Sequence, residues 1–142
     1  MNLFFFSDHA GYALKEALWN LYPDALNLGT HTEDAVDYPL LAKDAAFKAR
    51  EGYLGILICG TGIGMSISAN RFPFVRAALC TNPYEARMAR AHNDANILCL
   101  GARVIGLGLA TMCVEVFLTT SFEERHRARV EMLGAGYNHL IP

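Results

Sequence analysis

Charged residues are scarce in this chain of 142 residues: they make up 18% of it, against roughly a quarter of an average soluble domain. No basic excess offsets the scarcity, since 12 Lys and Arg stand against 14 Asp and Glu and the formal net charge is −2. A general nucleic-acid binder needs a basic surface, so nucleic acid is excluded as the expected partner. Because few charges are available for the exterior, we expect part of the surface to be buried against a second copy of the chain.

Long apolar runs and paired cysteines are also missing. The longest apolar run, residues 104–118, contains two glycines and Glu115 and is too short for a membrane span. The apolar start at residues 1–6 is too short and too uncharged for a secretion signal. We therefore expect a cytoplasmic protein with no membrane partner. None of the four cysteines, at positions 59, 80, 99 and 113, forms a C-x-x-C pair, which argues against a disulfide or zinc framework.

Apolar runs alternate with helical patterns along the whole chain, without a linker or a repeat. A continuous apolar run predicts a buried strand at residues 54–59. Mainly apolar segments predict four more strands, at residues 3–6, 25–28, 75–80 and 97–100. Helical signals follow each strand. The first two cover residues 14–21 and 39–49, a third runs from the glycine loop at 60–64 to about residue 70, and a fourth begins at residue 82. Two more cover about 106–119 and 122–133 after the last strand. The alternation predicts an α/β fold, a single three-layer αβα domain over residues 1–142 with a five-stranded parallel, Rossmann-like sheet.

The segment 104–118 is apolar on nearly every side, and Glu115 is its only charged residue. A helix of this kind needs burial on several faces. We therefore expect this C-terminal helical region to pack on a partner subunit in a homodimer.

Two predicted loops at the carboxyl edge of the sheet are candidates for a ligand site, because ligands of such sheets collect there beside the switch point in strand order. One is Ser7–Gly11, and the other is Cys59–Gly64, with glycines at 60, 62 and 64. The second loop lacks both the third glycine of G-x-G-x-x-G and the Gly-Lys-Ser/Thr of a P-loop. Its free backbone N–H groups predict an anion cradle. A tight turn that needs glycine only for its geometry is the alternative.

Cys59 lies at the mouth of the glycine loop. A helix N-terminus lowers the pKa of nearby thiols, and a thiolate can act as a base or a nucleophile. Cys59 is therefore a candidate catalytic residue, and the alternative is a buried structural cysteine. The structural interpretation is preferred for the three other cysteines.

Polar residues elsewhere allow two interpretations each. Asp8 and His9 can hold ligand hydroxyls and phosphate, or Asp8 can cap the next helix. Arg125 and Arg129 lie four residues apart and share a helix face, which suits a phosphate but also fits a solvated surface.

His92, in the segment 92–94, is expected at the amino edge of the sheet, opposite Cys59. Spacing alone favours a polar turn there; if His92 works with Cys59, it comes from a neighbouring subunit.

Several ordered motifs occur together along nearly the whole chain, at residues 7–11, 37–39, 59–67, 70–71, 92–96, 101–106 and 125–129. In this order they resemble the family of ribose-5-phosphate isomerase type B and its galactose-6-phosphate isomerase relatives. The resemblance implies metal-free, cofactor-free isomerisation of a phosphorylated sugar, ribose 5-phosphate to ribulose 5-phosphate, through a cis-enediol. It also implies a homodimer, or a dimer of dimers, with sites between subunits.

The resemblance further implies a role for each candidate site residue. Cys59 is the base that moves a proton between C2 and C1, Thr61 assists proton movement between the oxygens, and His92 is the acid that opens the furanose ring. Asp8 and Asn93 hold hydroxyls, and backbone N–H groups of the loop stabilise the enediolate; these belong to Gly60, Thr61, Gly62, Ile63 and Gly64. The phosphate is bound by His9, Arg103, Arg125 and Arg129. His31, His126 and His139 receive no role.

Three questions stay open at this point. The sugar can instead be allose 6-phosphate, galactose 6-phosphate or a tetrulose phosphate. A flavodoxin-like module that binds a nucleotide or flavin through the same cradle is a different class, although no acidic ribose partner follows the next strand. A cysteine hydrolase or thiol redox protein is the third alternative, and it needs a base or a second thiol near Cys59.

Overall fold

One parallel sheet organises residues 2–134, which are the residues that the computed structural model describes. Its strands are β1 (Leu3–Ser7), β2 (Leu26–Gly29), β3 (Leu54–Cys59), β4 (Ala77–Leu79) and β5 (Ile97–Gly101). They lie in the order β2-β1-β3-β5-β4, and every neighbouring pair is parallel. The predicted α/β class with a five-stranded parallel sheet is therefore confirmed.

Helices cover both faces of this sheet. They are α1 (Tyr12–Trp19), α2 (Tyr38–Arg50), α3 (Ile63–Ala69), α4 (Pro83–Asn93), α5 (Leu107–Thr119) and α6 (Arg127–Met132). Residues of α1, α4 and α5 pack on one face, and residues of α2 and α3 pack on the other. The three predicted layers are therefore present. Within residues 2–134, no helix combines the length and the apolar character that a membrane crossing requires.

The apolar runs form strands because both faces of the sheet are covered. Phe5 is fully buried on the face of α1 and α5, whereas Phe4 is fully buried on the face of α2. Complete burial of such a side chain contributes about 1.5–3 kcal/mol. The helix α2 faces the sheet with small side chains that allow close approach: Ala42, Ala45, Ala46 and Ala49.

The fourth strand is shorter than predicted. It spans Ala77–Leu79 instead of residues 75–80. Val75 N–H donates to Phe72 O at 3.0 Å, so the chain is still in a turn at this point. Because β4 is an edge strand that pairs only with β5, a short ladder is enough to hold it.

The helix predicted over residues 122–133 is interrupted. Glu124–His126 form a 3-10 turn, and α6 begins only at Arg127. The Glu123 N–H donates to Ala91 O at 2.9 Å. This bond ties the start of the segment to the end of α4, so the chain turns before it continues as a helix.

The apolar helix α5 is only partly covered by its own chain. Ala110, Cys113 and Phe117 are buried against the sheet, whereas Leu109 and Met112 are exposed. An apolar face is thus available on the outer side of α5. Its packing on a partner subunit stays a prediction.

Candidate active site

The carboxyl edge of the sheet brings the two predicted loops together. The chain continues from β1 to β2 on one side, and β3 lies on the other side, so the switch point is between β1 and β3. Asp8 N–H donates to Ile58 O at 3.2 Å, and a Cβ at Gly11 would collide with the Ile58 carbonyl group. The loop after β1 therefore lies directly against the end of β3.

Glycine is required in the loop between β3 and α3. Gly62 has a φ of 79°, and a Cβ there would lie 2.6 Å from Leu79 Cδ1. A Cβ at Gly64 would lie 2.5 Å from the ring of Tyr38. The tight turn explains the glycine at Gly62, while Gly64 allows an aromatic ring to approach the start of α3. Local geometry therefore accounts for these two glycines, and this is compatible with a ligand site.

The sulfur of Cys59 lies inside this loop. Gly62 N–H donates to Cys59 Sγ at 3.1 Å, and the residue is 5% exposed. The neighbouring Thr61 is exposed, and its Oγ1 accepts from Ile63 N–H at 3.3 Å. A backbone donor at the start of a helix that points at a sulfur is an arrangement that supports a reactive thiol.

The three other cysteines lie in surroundings that suppress reactivity. Burial is the main cause that raises the pKa of Cys80 to about 12, with a further contribution from the charge of Glu85. Burial likewise raises the pKa of Cys99 and of Cys113. A thiol that stays protonated is a poor base near neutral pH, so the structural interpretation fits these three residues.

Arg103 belongs to the surroundings of the glycine loop. The backbone N–H of Arg103 donates to Gly60 O at 2.9 Å. In its side chain, Nη1 lies 3.1 Å from the position that a Cβ at Gly60 would take. The Ala102 N–H donates to Cys59 O at 2.8 Å. The guanidinium group therefore lies over the glycine next to Cys59, where it can meet an anionic ligand.

Asp8 and His9 lie on the other side of the switch point. Asp8 is buried, and its Oδ1 accepts from Gly11 N–H at 3.0 Å, so it caps the turn that leads into α1. His9 Nδ1 accepts from Val36 N–H at 3.2 Å. The acceptor role of Nδ1 leaves Nε2 of His9 as the nitrogen that carries a proton toward a ligand.

Sequence reasoning missed two residues that shape this edge. Tyr38 lies against Gly64, and its position inside the 37–39 motif was the signal that could have pointed to it. Lys15 is fully buried, and its Nζ donates to Leu28 O at 2.8 Å and to Thr30 O at 2.6 Å. Burial lowers its pKa. The amphipathic pattern of α1 gives no sign that a lysine fixes the loop after β2.

The remaining predicted site residues lie at the opposite edge of the sheet. His92 and Asn93 end α4, and with Arg129 they line a cavity of about 240 Å³ whose other residues are His126, Val130 and Leu133. The ring centroids of His92 and His126 are 4.4 Å apart. Burial lowers the pKa of His126, and the charge of Arg125 lowers it further.

Arg125 is held by an acidic neighbour in this chain. Its Nη2 and Nε donate to Glu123 Oε2 at 2.7 and 2.8 Å. Hydrogen bonding to Arg125 is the main cause that lowers the pKa of Glu123. A phosphate at Arg125 would have to share the guanidinium group with Glu123.

The candidate residues therefore form two groups in one chain. Cys59 pairs with Gly101 at the carboxyl end of β5, whereas Asn93 precedes the amino end of the same strand. The prediction that His92 lies opposite Cys59 in its own chain agrees with this placement.

The fold and the first of these groups define a class: a three-layer α/β protein of Rossmann-like type with a thiol, a glycine loop and an arginine at its switch point. A sequence model described as Ribose/Galactose Isomerase matches residues 3–133. The chain belongs to this isomerase family.

Similar proteins cover nearly the whole chain. Ribose-5-phosphate isomerase B of Escherichia coli (strain K12) is 43% identical over 135 residues, which are 90% of this chain and 91% of that protein. The solved ribose-5-phosphate isomerase B of Clostridium thermocellum is 45% identical with a TM-score of 0.91, and covers 94% of this chain and 95% of that one. The type B enzyme of Leishmania infantum is 35% identical with a TM-score of 0.91, over 99% and 98% of the two chains.

Proposed function

We propose that this protein is a metal-free aldose–ketose isomerase that interconverts ribose 5-phosphate and ribulose 5-phosphate through a cis-enediol. Membership of the isomerase family gives the reaction class. The observation that carries the proposal is the sulfur of Cys59, which accepts from Gly62 N–H inside the glycine loop. A base is needed at this reaction's centre, and this is the cysteine whose surroundings suit that task.

The chemistry moves one proton between two neighbouring carbons. The thiolate of Cys59 takes the proton from C2 of the open-chain aldose, a C1–C2 double bond forms, and negative charge develops on O1. Backbone N–H groups of residues 60–64 that do not donate within the loop stabilise that charge, since Gly62 N–H and Ile63 N–H already donate to Cys59 Sγ and Thr61 Oγ1. A proton then passes from O2 to O1 with the help of the Thr61 hydroxyl, and the thiol of Cys59 returns its proton to C1.

Ring opening and substrate binding use the remaining residues. His92 donates a proton to the ring oxygen as the furanose opens, while Asp8 and Asn93 hold hydroxyl groups. The phosphate is bound by His9, Arg103, Arg125 and Arg129, since guanidinium groups suit its oxygens.

A second copy of the chain joins the two halves of this site. Cys59 and His92 lie at opposite edges of the sheet, so one chain cannot bring both to the same sugar. Exposed apolar side chains near both the glycine loop and α5 support a homodimer, or a dimer of dimers, that covers them: Ile63, Ile67, Leu109 and Met112. Each chain would act as one sugar-phosphate isomerase domain over residues 1–142, in the cytoplasm.

A sugar-phosphate panel tests the reaction and the substrate together. Purified protein, with a chelator present, is offered ribose 5-phosphate, allose 6-phosphate, galactose 6-phosphate and a tetrulose phosphate. We expect the highest kcat/KM with ribose 5-phosphate and no loss on chelation. Preference for a hexose phosphate would identify that sugar, and not ribose 5-phosphate, as the substrate. Loss of activity with the chelator would refute the metal-free mechanism. Tight binding of a nucleotide or flavin without isomerisation would favour the flavodoxin-like alternative.

A further inference from the structure

Two histidines and a glutamate meet at the amino edge of the sheet, away from the glycine loop. Glu123 Oε2 lies 4.0 Å from His92 Nε2 and 3.7 Å from His126 Nε2. One ligand atom from each of the three residues lies within 4.8 Å of the others. Two imidazoles and one carboxylate are a known ligand set of zinc sites that keep one position open.

The side chain of His126 gives a second, independent observation that points to a ligand. The residue is 8% exposed, and its Nε2 has no hydrogen-bond partner among residues 2–134. A buried polar atom left without a partner destabilises the folded protein. This nitrogen belongs to the cluster, so a ligand bound there would remove the cost.

The backbone already holds the three residues close to a binding geometry. Tetrahedral bonds of about 2.0–2.2 Å put ligand atoms about 3.3–3.6 Å apart, so the distances from Glu123 have to shorten only slightly. Glu123 and His126 belong to one turn, and Glu123 N–H donates to Ala91 O beside His92. The metal would replace the exposed ion pair of Glu123 with Arg125, and exposed ion pairs contribute little to stability.

We propose that His92, Glu123 and His126 form a site for a divalent transition-metal ion of the zinc class. The fourth position opens toward the cavity that both histidines line. The ion inhibits the isomerase, because a metal on His92 takes the nitrogen that would carry the proton for ring opening. That inhibition rests on the function proposed above, whereas the binding does not.

Binding of Zn²⁺ in competition with a coloured chelator tests the site without using activity. The protein carries Cys59→Ser, which removes the thiol as another ligand. We expect one Zn²⁺ per chain, and at least roughly tenfold weaker binding after adding His126→Asn or Glu123→Gln. His31→Asn is the matched control, since His31 is exposed on another loop, and it should leave the affinity unchanged.

Two results would overturn the metal site. One is the absence of Zn²⁺ binding in the Cys59→Ser protein, and the other is an affinity that neither His126→Asn nor Glu123→Gln lowers in protein that circular dichroism finds folded. Inhibition is then measured on the chain with Cys59 present. We expect Zn²⁺ to inhibit it reversibly, and His126→Asn to raise the inhibitory concentration at least roughly tenfold. Absence of any isomerase activity would refute the proposed function, while the binding data alone decide on the metal site.

Discussion

Replacing Cys59 with alanine tests the assignment of the base, and Cys80→Ala is a matched control. Both cysteines lie at the carboxyl end of a strand and are 5% and 2% exposed, respectively. Each substitution removes one buried sulfur atom, which we expect to lower the free energy of unfolding by about 1 kcal/mol. Cys59→Ala also leaves Gly62 N–H without its acceptor, at a further cost of about 0.5–1.5 kcal/mol.

The two variants should differ far more in catalysis than in stability. Loss of a general base lowers turnover roughly 10²–10⁴-fold, which corresponds to about 2.7–5.5 kcal/mol in activation free energy. Cys80, whose pKa burial raises to about 12, is not available as a base, so Cys80→Ala should keep nearly full turnover. Cys59→Ser separates the roles, since it restores a hydrogen-bond acceptor but no base that works near neutral pH.

Ketose formation from ribose 5-phosphate, measured with a chelator present, gives the turnover of each variant. Urea unfolding of the same samples gives their stability. Equal losses of turnover in Cys59→Ala and Cys80→Ala would show that Cys59 is not the base, as would full turnover of Cys59→Ser. If the activity of all variants falls in proportion to their free energy of unfolding, Cys59 has only a structural role in the core.

The structure supports three further predictions. Gly62→Ala meets both a positive φ and a close contact and should cost about 1–3 kcal/mol of stability and most of the activity; Gly52→Ala, with a φ of 93° but nothing within 4 Å, should cost less stability and no activity. Asn82→Ala removes the acceptor of Glu85 N–H and should cost about 1 kcal/mol in urea unfolding. A hydrogen bond from Thr81 is the main cause that lowers the pKa of Glu85 below 4.5 in the folded protein. The ionised Glu85 therefore stabilises the fold above the pKa of the unfolded state, and this contribution is lost as pH falls through the pKa of the folded state. Stability should thus depend less on pH below about pH 4.5 in Glu85→Gln, as acid unfolding measures.

The sheet and its loops could be predicted because their signals are local. Continuous apolar runs such as residues 54–59 mark strands that are covered on both faces, and Asn82 with Glu85 marks the start of α4. The interruption after Glu123 could not be predicted, because it depends on a bond to Ala91 from another element. The predicted fourth strand is longer than β4 because its first residue, Val75, lies in a turn in which its N–H donates to Phe72 O, a contact that the apolar pattern does not indicate.

The sequence predicts at which edge of the sheet each candidate site residue lies, but not which side chains contact one another. The switch-point rule places Asp8 and Cys59 at the same edge of the sheet, and the position of residues 92–94 before the fifth strand places His92 at the opposite edge. Neither gives a reason to expect Tyr38 over Gly64 or the buried Nζ of Lys15 on the loop after β2. Both contacts join elements that are distant in sequence, and side-chain pairs of this kind leave no periodic pattern.

In the proposed enzyme, Cys59 of one chain and His92 of another complete one isomerase site, so mixing two inactive variants should restore activity. Cys59→Ser and His92→Asn proteins, each nearly inactive, are unfolded together in equal amounts and refolded. Random pairing makes about half of the dimers mixed, and each mixed dimer holds one intact site of two, so about a quarter of the unsubstituted protein's activity should return. Activity no higher than the mean of the two variants refolded separately would contradict the shared site.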